Sequence, residues 1–403
     1  MNHKNDNFLS KKSEYRLYEL ILFSLIIIIV TVFLSLTINK KILGYKEASK
    51  ACVSNSELKE IESAYKTIVE EYYKDVDKDK LIQGAINGML SSLDDPHTSY
   101  LNETETNNFN DIMSGTYKGI GAELSINTKG EVYVVSVFRN SPAYEVGMVL
   151  NDIITEVNNT STKGLTTTDV VKLIRGENSD DVKIVVSRDG DSLTFNMKKR
   201  YIEIESVESK IIDKTGYIII NSFADNTYTQ FKSQLEEMEA KDIKGLIIDV
   251  RGNSGGYLHS VTNILDMFLP RGKITYQLED RKNNYKYTSK SDESRNYPIV
   301  VLMNKTSASA SEILAIGLKE SYGATLVGTT TYGKGTVQVT KKLSAGGMMK
   351  YTIQKWLSPK GNWINEVGVK PDYEVELDEK YITTRSEQDD NQLQKALNII
   401  SKK

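Results

Sequence analysis

A continuous apolar run is the first pattern along the chain. From Leu20 to Ile38 the residues carry no charge and are mostly Leu, Ile, Val and Phe. At about 1.5 Å rise per residue, a helix of this length matches a bilayer core of about 30 Å. A cleaved signal peptide has a shorter apolar core, about 7–15 residues, and a small-residue cleavage site, so it is the less favoured alternative. We predict a transmembrane anchor at 20–38, preceded by a short tail at 1–19.

Helical spacing of apolar residues follows the anchor and predicts two helices, the second around Asp79–Leu93. The run Asp94-Asp95-Pro96 is expected to end the second helix, because proline lacks an N–H and disfavours helical backbone before it. These residues form a predicted N-terminal helical region at 56–99. The apolar stripe of its first helix consists of Leu58, Ile61, Tyr65, Ile68, Val69 and Tyr72.

The pattern then changes to short strands, which predicts a β-rich domain at 100–198. Two short helices are expected within it, at Ala143–Val146 and Thr168–Ile174. The predicted strands are Glu131–Phe138, Ile153–Val157 and Val182–Arg188.

Buried-strand runs alternate with helical stretches from Gly216 onward. This alternation is typical of βα units around a mostly parallel sheet, and we assign it to a domain at 199–378. A polar tail at 379–403 follows, with a helix expected at Asp389–Ser401. The predicted fold class is therefore an α/β multidomain protein with an N-terminal transmembrane helix.

Composition and charge narrow the range of possible functions. Hydrophobic residues make up 39% of the chain and charged residues 26%, an ordinary globular mixture. The net charge of -3 gives no basic surface for nucleic acid, so no nucleic-acid partner is expected. The single cysteine, Cys52, excludes an internal disulfide framework and a thiolate metal cluster. Lysines flank the apolar run on both sides, and only the free N-terminal amine favours a cytoplasmic N-terminus.

The β-rich domain contains Gly119-Ile120-Gly121 ahead of Ala122-Glu123-Leu124. Together with Ser141-Pro142-Ala143 and the run 150–158, this segment resembles a PDZ domain. In that family the glycine-flanked loop leaves N–H groups free to hold a C-terminal carboxylate, and a neighbouring strand pairs with the peptide. Asn151 and Asn159 stand where glycine is usual, and asparagine tolerates a left-handed backbone. The alternative is a small β-rich domain with an ordinary Gly-X-Gly turn.

A glycine-rich turn, Asp249 to Gly256 (DVRGNSGG), lies between a predicted strand and a helical stretch at His259–Leu269. Successive N–H groups at such a turn suit an anion or an oxyanion. A plain tight βα turn uses similar residues, so this pattern alone does not distinguish an anion-binding site from an ordinary turn.

Three serines precede the next apolar helix, in the segment 304–312 (NKTSASASE). Ser309 and Glu312 fit a capping box, which explains the pattern without catalysis. A nucleophile also benefits here, because the helix N-terminus stabilises negative charge. The sequence alone does not separate Ser307, Ser309 and Ser311.

The segment Gly328–Gln338 (GTTTYGKGTVQ) nearly matches a phosphate loop, but position 335 is glycine where that loop needs a hydroxyl. The residues after it alternate as a strand, whereas a phosphate loop opens a helix. Both points argue against an ATPase. In a strand, Lys334, Thr336 and Gln338 share one face, so Gln338 is in reach of the Lys334 amine.

No histidine is a good candidate for a general base. The chain has only His3, His97 and His259. His3 precedes the anchor, while His97 in a proline turn and His259 in the glycine-rich βα segment are expected to be structural. No H-E-x-x-H motif occurs.

Taken in order, the anchor, the PDZ-like domain, DVRGNSGG, TSASASEILA, GTTTYGKGTVQ and YTIQKWLSPKGNWINEVGVKPD resemble the C-terminal processing peptidases, or tail-specific proteases. The resemblance runs from about 56 to 378. It implies that Ser309 is the nucleophile, Lys334 the general base and Gln338 the residue that orients Lys334. It also implies oxyanion donors in the backbone amides of Gly255, Gly256 and Ala310.

Such a dyad needs a lysine that is neutral near pH 7. Because an exposed lysine has a pKa of about 10.4, Lys334 is expected in a nearly closed apolar pocket, with Tyr332 and Trp356 as candidate lining. No metal or cofactor is required.

The resemblance further implies a PDZ domain that recruits exposed C-termini of exported or membrane proteins, with Arg175 at a position linked to gating. It also implies a homodimer. A regulatory protein is a further expected partner. The orientation expected for the anchor leaves the protease domains on the extracytoplasmic side of the cell membrane.

Two other functions are compatible with parts of the sequence. A PDZ scaffold without activity would bind tails and not cut them, although all three dyad components are present. A phosphate-loop ATPase would bind nucleotide at 328–335.

Overall fold

The structure is a computed structural model that describes residues 55–176, 179–292, 295–344, 346–384 and 386–402. The predicted anchor at 20–38 and the tail before it lie outside the described residues. Within those ranges no helix is both long and apolar enough to cross a bilayer. The chain divides into two compact units, Met1–Ile82 and Gln83–Lys403.

Two helices open the described chain, α1 (Asn55–Glu71) and α2 (Lys78–Ser91), as the helical spacing predicted. The apolar stripe of α1 is exposed: Leu58, Ile61 and Ile68 are 53%, 51% and 40% accessible. Helix α2 ends just before the Asp-Asp-Pro run.

Two short strands and a helix lead into the next domain: β1 (Ser99–Leu101), α3 (Glu103–Ser114) and β2 (Thr116–Gly119). Helix α3 begins with a capping box, in which Asn102 and Glu105 each accept from the other's backbone N–H.

An antiparallel sheet forms the PDZ-like domain, with strands in the order β3-β4-β5-β7-β8 and β6 paired to β5. Alternate residues of β7 are buried, which is the period of a strand with one face on the core. The elements are β3 (Ala122–Ile126), β4 (Val132–Val137), α4 (Pro142–Glu145), β5 (Ile153–Val157), β6 (Thr160–Ser161), α5 (Thr167–Arg175), β7 (Asp181–Arg188) and β8 (Asp191–Lys198). Strand β9 (Arg200–Glu203) then pairs with β2, so the segments that lead into and out of this domain lie next to each other.

The following domain is built on a six-stranded sheet in the order β10-β11-β12-β15-β16-β19. All neighbours are parallel except β10 and β11, as expected from the βα alternation. Both β12 and β15 are buried throughout, which explains their uninterrupted apolar sequences. In chain order the elements are β10 (Val207–Ile212), β11 (Thr215–Ile220), α6 (Thr227–Glu239), β12 (Gly245–Asp249), α7 (Leu258–Asp266), β13 (Ile274–Glu279), β14 (Asn284–Thr288), β15 (Ile299–Met303), α8 (Ala310–Gly317), a π-helical turn (Leu318–Tyr322), β16 (Thr325–Gly328), β17 (Thr336–Lys342), β18 (Met348–Leu357) and β19 (Tyr373–Glu374).

The two faces of this sheet are covered differently. Helices α6, α7 and α8 contribute to the larger core on one face. The chain ends with α9 (Glu379–Thr384), a 3₁₀ turn (Glu387–Asp389) and α10 (Asn391–Ser401). Leu393, Ala396 and Ile400 of α10 are buried against the other face, so the polar tail is an integral layer of the domain.

A second, antiparallel sheet was not anticipated from the sequence. Its strands run in the order β1-β18-β13-β14, and β17 also pairs with β18. Because β1 and β17 both pair with β18, residues far apart in sequence become neighbours. The strand that follows Lys334 is the one that the alternation predicted, and the helix of a phosphate loop is not formed there.

Candidate active site

A cleft of about 890 Å³ lies where the N-terminus of α8 faces β17. It contains all six catalytic and oxyanion candidates from the sequence: Gly255, Gly256, Ser309, Ala310, Lys334 and Gln338. Residues Phe109, Ile112 and Met113 of α3 line it as well. The carboxyl ends of β12 and β15 bring the glycine-rich turn and the serine segment together, as in other open parallel sheets.

The three serines of the segment 304–312 have different surroundings. Ser307 and Ser311 are fully buried, and their hydroxyls donate to the carbonyls of Val250 (2.7 Å) and Asn253 (2.8 Å). Ser309 is half-buried and lines the cleft. Ser307 and Ser311 therefore hold the glycine-rich turn, and Ser309 is the serine of this segment that faces the cleft.

Ser309 has a strained backbone, with φ of 54° and ψ of -112°. A non-glycine residue rarely adopts positive φ, and such strain clusters at functional sites. The N–H of Ser309 donates to Glu312 Oε2 at 2.7 Å, so the Glu312 half of the predicted capping box is formed.

Lys334 is half-buried and lines the cleft. Burial, and after it the charge of Lys350, lower the pKa of Lys334, while Asp95 and Glu312 act in the opposite direction. In the described part of the chain, Lys334 Nζ makes no hydrogen bond or ion pair. Trp356 is buried beside it and donates from Nε1 to the Lys334 carbonyl at 2.7 Å. Tyr332 is 58% exposed and does not line the cleft, so the expected role of Tyr332 is wrong.

Gln338 is half-buried on β17 and shares a face with Thr336, as the strand period predicted. Its Nε2 donates to Thr336 Oγ1 at 2.9 Å and to Thr352 Oγ1 at 3.0 Å. Its amide is thus held by the strand pair β17–β18.

The glycine-rich turn offers free amides beside Ser309. Gly255 N–H already donates to Asn253 Oδ1 at 2.8 Å. The N–H groups of Gly256 and Ala310 have no acceptor among the residues that the structure describes. A Cβ on Gly255 would come within 2.9 Å of Ser309 Cβ, so only glycine allows this close approach.

A second cavity, of about 930 Å³, lies in the PDZ-like domain. Gly119, Ile120 and Arg175 line it. Gly121 has φ of 78°, and a Cβ there would lie 2.2 Å from Ser141 Cβ. Asn151 and Asn159 have φ of 69° and 65°, the left-handed backbone that the sequence predicted for them.

Arg175 connects this cavity to the wall of the catalytic cleft. Its Nη1 lies 2.9 Å from Asp111 Oδ2 and donates to Asn108 Oδ1 at 3.3 Å. Both partners belong to α3, whose neighbouring residues line the cleft with Ser309.

The two described histidines differ in position. His259 lines the catalytic cleft, and its Nε2 is 2.8 Å from Asp225 Oδ1. Burial, and after it the charge of Lys334, lower the pKa of His97.

The sequence matches known families over most of its length. The model for peptidase family S41 matches residues 214–375, that for the activating protease CtpB N-terminal domain matches 34–106, and that for a PDZ domain matches 133–188. The carboxy-terminal processing protease CtpA of Bacillus subtilis (strain 168) is 37% identical over 367 residues, which cover 89% of this chain and 78% of that protein.

The chain belongs to peptidase family S41. Within that family it is a C-terminal processing serine protease with a PDZ domain. The carboxy-terminal processing protease CtpB of the same organism is 41% identical over 318 residues, 77% of this chain and 66% of that protein. Among solved structures, the photosystem II D1 C-terminal processing protease is 27% identical, with a TM-score of 0.46 and coverage of 77% of this chain and 85% of that chain.

From the sequence alone, Glu312 of this S41 protease was expected only to cap α8. Glu312 is fully buried and accepts four hydrogen bonds, from Ser309 N, Lys334 N (2.9 Å), Gly333 N (2.7 Å) and Thr331 Oγ1 (2.6 Å). A capping box needs only the hydrogen bond from Ser309 N. The other three bonds come from residues 19 to 22 positions later in the chain, which no local pattern reveals.

Proposed function

We propose that this S41 member is a membrane-anchored serine endopeptidase that cleaves C-terminal tails of exported or membrane proteins through a Ser309–Lys334 dyad. The main support is the Glu312 carboxylate, whose Oε2 binds the backbone N–H of both residues at one cleft. The lowered pKa of Lys334 supports its role as base, because a charged amine accepts no proton.

The reaction is acyl transfer to serine. Ser309 Oγ attacks the scissile carbonyl carbon while Lys334 Nζ takes the hydroxyl proton. When the tetrahedral intermediate collapses, the C–N bond breaks and Lys334 returns the proton to the leaving amine. Lys334 then deprotonates a water molecule, whose oxygen attacks the acyl carbon. The ester bond to Ser309 breaks, and Lys334 returns the proton to Ser309 Oγ. Ser309, Lys334 and water supply every step, and the reaction requires no cofactor.

The oxyanion of the intermediate is assigned to the N–H groups of Gly256 and Ala310. Ala310 N–H lies at the first position of α8, where the helix dipole favours negative charge. Gly255 is replaced in this role by its neighbour because its own N–H donates to Asn253. Gly255 instead provides the space that the Ser309 side chain needs.

Cleavage of an unstructured substrate by the full chain tests the dyad. We expect Ser309→Ala and Lys334→Ala to be inactive while retaining wild-type circular dichroism. Lys341→Ala, which removes an exposed lysine from the same strand β17, is the matched control and should cut normally. Activity in either dyad variant comparable to wild type would overturn the mechanism. A folded but inactive wild type that binds C-terminal peptides would favour the scaffold alternative.

We assign substrate recruitment to the PDZ cavity, in which the Gly119-Ile120-Gly121 loop holds the terminal carboxylate. Arg175 supports a gating role, because it lines this cavity and also pairs with α3. Peptide binding should require a free C-terminus. Fluorescence anisotropy with a C-terminal peptide and its C-terminally amidated form measures this requirement, and equal affinities would contradict it.

The anchor at 20–38 is proposed to hold the protease domains on the extracytoplasmic side of the cell membrane. The single Cys52 offers a direct test because it follows the anchor. A membrane-impermeant maleimide should label Cys52 in intact cells. In a Cys52→Ser background, Ser10→Cys should be labelled only after lysis. The reverse pattern would place the protease domains in the cytoplasm.

The partner proposals are a homodimer and a regulatory protein that activates or restrains the protease. Light scattering of the purified full chain measures the oligomeric state. A monomer at micromolar concentration would contradict the dimer.

A further inference from the structure

The segment Asp95 to Thr98, which the sequence marks only as a helix stop, contacts Thr352 of β18, the strand that pairs with β17. Strand β1 pairs with β18 at Ser99 and Lys350, and β17 pairs with β18 so that Gln338 faces Thr352. Thr352 therefore lies between Asp95 and Gln338.

Three hydrogen bonds hold Asp95 in place. Its Oδ2 accepts from Thr352 Oγ1 and from Thr98 Oγ1, both at 2.6 Å. Its Oδ1 accepts from the His97 N–H at 3.0 Å. These hydroxyls and this amide lower the pKa of Asp95 in spite of burial, which acts against them, so the group is a carboxylate at neutral pH.

This carboxylate sets the direction of the next hydrogen bond. A carboxylate only accepts, so the Thr352 hydroxyl must donate its one proton to Asp95. The Thr352 oxygen can then only accept, and it accepts from Gln338 Nε2 at 3.0 Å. The second Nε2 proton goes to Thr336 Oγ1. Gln338 Oε1 is thereby left as the accepting end of the amide, in a residue that lines the cleft with Lys334.

We propose that Asp95 and Thr352 are positioning residues for catalysis, which fix the Gln338 amide so that its Oε1 is presented to the Lys334 amine. This inference rests on the proposed serine–lysine dyad. An ammonium group only donates, so Oε1 stabilises the protonated Lys334 that forms when Ser309 attacks. The flipped amide would turn an NH₂ toward that charge.

Asp95 also acts on Lys334 through its charge. In the part of the chain that the structure describes, the groups that interact electrostatically with Lys334 are Asp95 and His97 before β1, Glu312 on α8 and Lys350 on β18. Asp95 raises the pKa of Lys334, against the larger effect of burial. Loss of the Asp95 charge therefore lets Lys334 become neutral at a lower pH.

A pair of substitutions at Thr352 separates positioning from a merely structural role. Thr352→Ser keeps the hydroxyl, whereas Thr352→Val keeps the shape and strand preference but removes it. In the full chain we expect kcat to fall about tenfold in Thr352→Val, with KM within about twofold, because about 1.4 kcal/mol of charge stabilisation is lost. Thr352→Ser should stay within about threefold of wild type. A structural role predicts the reverse order, since valine favours strands and serine does not.

The Asp95→Asn variant gives a second, independent readout. It tests the positioning role even in the case that Thr352→Val does not fold. Asparagine can donate to Thr352 or accept from it, so the amide direction of Gln338 is no longer fixed. We expect a lower kcat together with a shift of the acid limb of kcat/KM to lower pH. Asp94→Asn is the matched control, because Asp94 is exposed and has φ of 51°, which asparagine tolerates. This variant should leave kcat and the acid limb of kcat/KM unchanged.

The outcomes distinguish this inference from the proposed function. If Ser309→Ala and Lys334→Ala are inactive but Thr352→Val is at least as active as Thr352→Ser, the positioning role is overturned and the dyad stands. An Asp95→Asn enzyme with an unmoved limb and wild-type kcat would overturn it too. If Ser309→Ala or Lys334→Ala cuts normally, the dyad itself fails.

Discussion

The backbone N–H of Lys334 donates a hydrogen bond of 2.9 Å to the buried carboxylate of Glu312. The same oxygen accepts the N–H of Ser309 at 2.7 Å. One side chain therefore fixes both the strained turn of the proposed nucleophile and the turn of the proposed base. The relative placement of the two groups depends on this buried side chain and not on two separate loops.

Replacement of Glu312 by glutamine should disturb both turns at once. Glutamine keeps the size, but its NH₂ group cannot accept the hydrogen bonds that one carboxylate oxygen now accepts, so buried N–H donors face another donor. We expect the free energy of unfolding to fall by about 3 kcal/mol and kcat to fall at least tenfold. Urea denaturation and steady-state kinetics measure both. The exposed Glu237→Gln is the control, and equal behaviour of the two variants would contradict the role of Glu312.

The strained backbone of Ser309 predicts a stability cost at the nucleophile. Glycine populates φ near 54° with ψ near -112° without a Cβ penalty. Ser309→Gly should therefore be more stable than Ser309→Ala by about 1 kcal/mol, while both variants are inactive. Thermal and urea unfolding compare them. A less stable glycine variant would mean that the backbone at this position is not under strain.

The charge of Lys350 should set the pH at which the enzyme becomes active. Lys350 lowers the pKa of Lys334, so its removal raises that pKa and keeps Lys334 protonated to a higher pH. In Lys350→Met the acid limb of kcat/KM should move to higher pH, opposite to the shift in Asp95→Asn. Lys341→Met, on exposed β17, is the control. An unmoved limb in Lys350→Met would show that Lys350 does not act on the base.

A buried ion pair ties the C-terminal helix to the glycine-rich turn. Arg251, at the start of that turn, lies 2.8 Å from Asp390, whose side chain also accepts the Leu393 N–H as the N-cap of α10. Asp390→Asn should lower the free energy of unfolding by about 3 kcal/mol, because a buried guanidinium loses a charged partner.

The exposed pair of Arg271 and Asp292 provides the comparison, at 2.6 Å with side chains 61% and 79% accessible. Asp292→Asn should leave the free energy of unfolding close to that of the wild type, since solvent screens such a pair. Chemical denaturation of both variants measures the difference. Similar losses would mean that burial of the Arg251 pair adds nothing.

The Arg175–Asp111 pair predicts coupling between the two cavities. If this contact carries the effect of PDZ occupancy to α3, Arg175→Gln and Asp111→Asn should each abolish the change in cleavage rate that a C-terminal peptide produces. The double variant should have no larger effect than either single one. Peptide-dependent rates of all four proteins measure this. Additive effects would mean that the two residues act separately.

The sequence by itself determined the elements and most of the residues that line the candidate site. Local periodicity predicted the helices α1 and α2, the strands of the PDZ-like domain and the strand after Lys334, because period and turn chemistry depend only on nearby residues. The left-handed backbone at Asn151 and Asn159 was predictable for the same reason. The spaced motifs identified the family, since their order is a property of the chain.

The tertiary structure decided which residues meet. Ser307 and Ser311 differ from Ser309 only in what packs against them, which no alternation of serine and alanine encodes. Tyr332 is apolar in part and next to the lysine turn, yet it is exposed. Asp95 reaches Gln338 only because β1 and β17 both pair with β18, a register fixed by long-range strand pairing and not by any local preference.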